Sequence, residues 1–320
     1  MHFRSIFIFL FTLISVANDP TFGQQVRRKP MRSLAPKLNP QEFEGVFFAD
    51  VQKQLIGPPP ASGAVADSGA GPGTASTSTD STNGSSNAGN NVWKDRISGQ
   101  SIEDLVKEGK RRLDTFVTTP AKFTGGSYKD VRREFTLLAI LFTAIEQYPD
   151  KIRWQASASI ARARFARLAA NTKVATTPTY NEAKLRMEDL TTLLKGSPLT
   201  DSAPPTELVW SEIADRVPSM QVLEWALREN LGRFVASEAE FKSHSEEALM
   251  YAELIGLIGE TLHQPGMNDA EDAEYKSWSA KMIQEATRIK DAVKLNNPTM
   301  AREAAGQLDQ SCNACHNTFR

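Results

Sequence analysis

The chain has 320 residues and a formal net charge of −1, with 40% hydrophobic and 23% charged residues. These are the proportions of a globular protein with room for two domains, and no global basic surface advertises nucleic acid. Only two cysteines exist, Cys312 and Cys315; this excludes a disulfide-dense scaffold, a Cys-only zinc site and any cluster needing four thiolates.

Met1–Arg4 is a short cationic start, followed by the mainly apolar run Ser5–Ala17 and by small residues at Ser15-Val16-Ala17 and Thr21-Phe22-Gly23. This reads as a secretory signal over residues 1–23, too short for a comfortable membrane span. No other stretch approaches the ~18 uninterrupted apolar residues of a transmembrane helix. The mature protein is expected to be exported, in a periplasm or similar compartment, without a stable membrane span.

Residues 24–92 read as a flexible tether with a short apolar island at 43–56. Of the 36 residues from 57 to 92, 32 are Gly, Ser, Thr, Pro, Ala or Asn. Such a segment cannot bury enough apolar area to offset its ordering entropy, and coil scaling gives it a reach of roughly 35 Å.

From Trp93 onward apolar residues recur at the helical spacing i, i+3, i+4, i+7. Residues 93–200 carry four such stripes: Ile102-Leu105-Gly109-Leu113-Phe116, Val131-Phe135-Leu138-Phe142-Ile145, Trp154-Ala158-Ala161-Phe165-Leu168 and Ala183-Met187-Leu190-Leu194. Residues 201–320 repeat the plan: Met220-Leu223-Leu227-Leu231-Phe234, Ala248-Tyr251-Ile255-Ile258-Leu262, Tyr275-Trp278-Met282-Ala286-Ile289-Val293 and Met300-Ala304-Leu308-Cys312-Cys315-Phe319. No alternating run competes as a strand. The expected fold is all-α, two consecutive four-helix bundles.

Weak internal similarity supports that division. TPTYNEAKLRMEDL at 177–190 resembles NPTMAREAAGQL at 297–308, and Phe123 and Phe241 each precede a second helix. Charge separates the halves: residues 93–205 carry 19 Lys+Arg against 13 Asp+Glu, and residues 206–320 carry 11 against 19. The acidic half would attract its neighbour or steer a basic partner.

The chemistry lies at the end. Cys312-Asn313-Ala314-Cys315-His316 is a C-x-x-C-H sequence, the attachment motif of c-type haem. On a helix, positions i, i+3 and i+4 share one face, so two thiols can reach the vinyl groups of one porphyrin while His316 turns under the iron. All three positions fall on the core-facing stripe of the last helix, which points to one haem c per chain. Competing readings are a redox dithiol, which wants a βαβ context that is absent; a strained intrahelical disulfide; and a zinc site completed by His244, His263 or a carboxylate. No P-loop, G-x-S-x-G or H-E-x-x-H appears, so an electron carrier is expected rather than an enzyme.

AAGQLDQSCNACHNTFR at 304–320 resembles the C-terminal helix of class II c-type cytochromes, cytochrome c′ and its low-spin relatives. The resemblance covers about residues 206–320. It implies a haem-binding four-helix bundle there; the bundle expected over 93–200 lacks the Cys and His residues and would carry no haem. It also implies that the first helix of the haem bundle faces the iron. The family pattern R-x-x-x-M-Q recurs as Arg216 to Gln221, which makes Met220 the candidate sixth ligand and Leu223 the next candidate for contact. Pro218 departs from the pattern and puts the depth of Met220 in question. Arg320 would pair with a propionate or sit near His316, as the family's arginine does. Phe319 and one or two of Trp225, Phe234, Tyr251 and Trp278 would line the porphyrin, while His244 and His263 would sit at opposite ends of the second helix. If Met220 binds iron, the protein transfers single electrons with a redox partner protein. If Met220 only crowds the site, the five-coordinate iron binds or senses NO or CO. The family often pairs as homodimers through the first two bundle helices, a surface the added bundle would compete for.

Overall fold

The computed structural model describes residues 92–200 and 208–319. Residues 1–91, on which the expected signal, tether and apolar island fall, residues 201–207 and Arg320 lie outside the described residues. Those described are helical with no strand among them, as the periodicity predicts. None of the helices described is long and apolar enough to cross a membrane.

The first half opens with α1 (Val92–Arg96) and α2 (Gly99–Phe116). Ser98 begins α2 because its hydroxyl accepts from the Ser101 N–H, one of the donors a helix start leaves unpaired. Ile102, Leu105, Gly109 and Leu113 then bury the predicted face. After the short α3 (Pro120–Lys122), the chain makes a π turn over Phe123–Ser127. Gly126 there takes φ 143°, a conformation side chains rarely allow. α4 (Tyr128–Glu146) follows, buried along most of its length. α5 (Ala158–Asn171) and α6 (Thr177–Leu194) complete the half, the latter started by a Thr176–Thr179 capping box.

The second half contains α7 (Trp210–Ile213) and α8 (Arg216–Glu224), which continues as a π turn (Trp225–Leu231) into α9 (Gly232–Phe234). α10 (Glu238–Ser243), α11 (Ser245–Leu262), α12 (Ala273–Lys294) and α13 (Pro298–Thr318) follow. Asp272 caps α12 by accepting from the N–H groups of Glu274 and Tyr275, and Asn297 caps α13 by accepting from that of Met300.

Two predicted stripes need correction. Trp154 does not extend the α5 stripe. It sits ahead of the helix at φ 66°, with its indole N–H donating to the Leu193 carbonyl and its ring against Phe142. The Met220–Phe234 stripe is broken by the π turn, whose extra residue shifts the register, so Trp225, Ala226 and Leu227 are buried in succession.

Within the first half, α2, α4, α5 and α6 pack in cyclic order; within the second, α8 with its π turn, α11, α12 and α13 do the same. The contacts between halves are reciprocal. α2 lies on α11 and α8 lies on α4, while Trp93 of α1 meets Trp210 of α7 with ring centroids 5.5 Å apart. Phe123 and Phe241, the pair singled out in the sequence, are both fully buried just ahead of α4 and α11. The buried apolar residues of the two halves form one continuous core.

Polar links follow the same seam. Ser98 donates from its hydroxyl to Glu253 at 2.8 Å, and Arg112 pairs with buried Glu134 at 2.9 Å while its guanidinium lies 4.3 Å from the Trp225 ring centre. Asp215 stands at the N-cap of α8 but does not cap it; its carboxylate turns instead to Arg132 and Lys173 of the first half. Burial pushes the Asp215 carboxyl up, yet hydrogen bonds from Lys173 and Arg132 outweigh it and hold the pKa below the usual value. A depressed folded-state pKa contributes stability above the unfolded value, about 3.9, that is lost as pH falls through the folded one. Asp215→Asn is therefore expected to flatten the loss of stability between about pH 5 and pH 3, read from urea midpoints at each pH. An unchanged acid slope would show that the bridge carries no net stabilisation.

α11 and α12 approach closely at Gly259, where an added Cβ would sit 2.7 Å from Ile283 Cγ1. Gly259→Ala is expected to lower stability by about 1–3 kcal/mol in urea unfolding, because overpacking a tight contact forces the neighbour aside.

Candidate functional site

A cavity of about 790 Å³ opens within the second half, lined by α8 and its π turn, α11, α12, α13 and Phe319 beyond its end. No residue of the first half lines it. Its volume falls in the ~300–1,000 Å³ range of ligand and cofactor sites.

The cavity gathers Cys312, Cys315, His316, Met220, Leu223 and Phe319, six of the seven candidate haem-site residues, the seventh being Arg320 outside the described residues. The first three come from the last turns of α13 and share one wall, as the i, i+3, i+4 spacing requires. Met220 and Leu223 come from α8, which begins at Arg216 with Pro218 in its first turn, where proline is tolerated. Leu223 is buried, whereas Met220 is half-buried against the core. The triplet does not face a sealed core, as its stripe suggests. Cys312 and Cys315 are half-buried and His316 is exposed, because the cavity wall they form reaches the surface.

Other candidates fall elsewhere. His244 precedes α11 and stacks on Phe234 with centroids 4.9 Å apart, and His263 follows α11 with Nε2 3.1 Å from the Lys276 carbonyl oxygen. Trp225 and Tyr251 pack edge to face at 5.3 Å, with Arg112 over the Trp225 ring, and do not line the cavity. Of the aromatic residues considered, Trp278 and Phe319 do line it.

The thiols are free. Burial pushes the Cys312 thiol up to about 11, reinforced by Asp309 and Cys315 and opposed by Arg228. Burial raises Cys315 as well. Both are therefore neutral S–H groups at neutral pH, the opposite of the low-pKa thiolate that drives disulfide exchange. Among the described residues, no three His, Cys, Asp or Glu side chains are grouped to hold a metal ion, so neither His244 nor His263 completes a zinc set with the thiols.

Tyr275 lies on the predicted apolar stripe of α12 and belongs to the buried core, and it also forms part of the cavity wall. It is 1% exposed, lines the cavity, and its hydroxyl proton has no acceptor, the nearby Arg216 guanidinium being a donor only. Burial pushes this phenol up to about 12, with the nearby Arg216 guanidinium pulling down and Cys315 and Asp269 pushing up. Arg216 itself pairs with Asp269. Periodicity cannot distinguish a cavity wall from a closed core, since both use apolar and aromatic residues at one spacing; a tyrosine on the stripe, three residues after the Asp272 cap, was the available signal.

No protein-family model, curated protein or solved structure matches the chain. The functional reading therefore rests on the motif and on the walls of this cavity.

Proposed function

We propose that the chain is an exported monohaem c-type cytochrome that transfers single electrons, its second half a class II four-helix bundle and its first half a haem-free bundle. The observation that carries this reading is that one cavity is walled by Cys312, Cys315 and His316 from α13 and by Met220 from α8. The residues present fit the group. Two neutral thiols stand one helical turn apart, an imidazole follows on the same face, and a buried hydroxyl proton awaits an acceptor in the same space.

In this reading Cys312 and Cys315 would hold the haem through thioether bonds, each S–H adding across a vinyl group with nothing leaving and no oxidant needed. His316 would hold the iron through a ring nitrogen and Met220 through its thioether sulfur. The bound haem supplies reversible one-electron chemistry. Leu223, Ile255, Met282 and Leu308 surround it with apolar surface, which lowers the local dielectric and limits water. The acidic balance of residues 206–320 favours a basic redox partner.

The test is production of the full chain with a haem-attachment system. A coloured protein with the mass of one haem added and a c-type pyridine haemochrome spectrum supports the reading. A colourless chain at apoprotein mass with both thiols alkylatable overturns it.

A further inference from the structure

The Tyr275 O–H is, among the described residues, the one buried side-chain donor on the cavity wall that meets no acceptor; Arg216, the group that hydrogen-bonds its oxygen, can only donate. It is also held in place. Asp272 fixes the first turn of α12, and the ring packs edge to face on Phe319 at 5.3 Å. The phenol cannot swing to water without breaking that packing, and an orphan donor in a low-dielectric site costs free energy. Its surroundings specify what would satisfy it. Tyrosine at neutral pH is a donor, Arg216 places positive charge beside it, and Asp269 is already committed to Arg216. An anionic oxygen completes that set better than a neutral carbonyl.

We infer that the Tyr275 hydroxyl is a carboxylate anchor of this cavity, donating to a propionate side chain of the haem. The inference rests on the haem reading above. Tyr275 is a positioning residue: it would fix the carboxylate edge of the haem and offset its negative charge.

The experiment compares wild-type chain and Tyr275→Phe, both carrying covalent haem. Loss of the donor is expected to shift the propionate bending band in the resonance Raman spectrum and to lower the reduction potential at neutral pH, with the visible spectrum otherwise unchanged. The same substitution in a haem-free Cys312→Ser/Cys315→Ser background is expected to leave the thermal midpoint unchanged or raise it, since it removes an orphan group. In the haem-loaded chain it is expected to lower that midpoint. This opposition of sign is what a merely structural tyrosine would not give. Wild-type protein moved from H₂O to D₂O provides a measurement that needs no variant, and the propionate band is expected to shift. No deuterium shift, or identical bands and potentials in the two haem-loaded proteins, overturns the role of Tyr275 while leaving haem attachment standing; an ordered water satisfying the hydroxyl would give that second result. A wild-type chain that takes up no haem overturns both.

Discussion

Changing Cys312 and Cys315 together to serine is expected to remove covalent haem completely, while each single change leaves one thioether. The geometry behind this is the shared wall of α13, where the two thiols stand three residues apart and face the same cavity. Intact mass after acid–acetone extraction separates the cases. The double variant should return apoprotein, and each single variant should retain one haem. A surviving vinyl group stays conjugated with the ring, so the single variants should also absorb at longer wavelength in the pyridine haemochrome. Both thiols are free and half-buried near the end of α13, so serine in their place should disturb the helix little. Retention of extractable-resistant haem in the double variant would mean that attachment occurs elsewhere, and the cavity would lose its assigned role.

Met220→Leu is expected to convert a six-coordinate low-spin haem to a five-coordinate high-spin one that takes up CO and NO. Loss of a thioether ligand should lower the reduction potential by an amount on the order of tenths of a volt, within the ~0.8 V range that axial ligation sets. Met and Leu are similar in volume, so the packing cost should stay below about 1.5 kcal/mol and the fold should survive the change. An unchanged low-spin spectrum would remove Met220 as ligand. A wild-type protein already high-spin, and already binding CO, would favour the gas-binding role, with Met220 and Leu223 serving as apolar walls.

The long helices were legible because their stripes repeat without interruption. Val131, Phe135, Leu138, Phe142 and Ile145 are all fully buried, as are Ala248 and Ile258 on α11. The thiol–imidazole triplet was legible because its spacing carries its own geometry. Three things were hidden. The π turn at Trp225–Leu231 depends on tertiary packing against α11 and α13, which no local propensity encodes. Trp154 adopts a left-handed backbone despite fitting a helical spacing, because its indole is claimed by the distant Leu193 carbonyl. Asp215 holds the N-cap position of α8, yet two cations from the other half take its carboxylate oxygens. In each case a long-range partner decided a local choice.

The paired tryptophans Trp93 and Trp210, with α2 resting on α11 and α8 on α4, have a thermodynamic corollary. Two such modules made as separate molecules would associate with a strength set by their concentration. Joined in one polypeptide, they meet at a fixed effective molarity that dilution cannot change. Unfolding of the body that holds the cavity should then be first-order in protein, with a melting point independent of how much protein is in the tube.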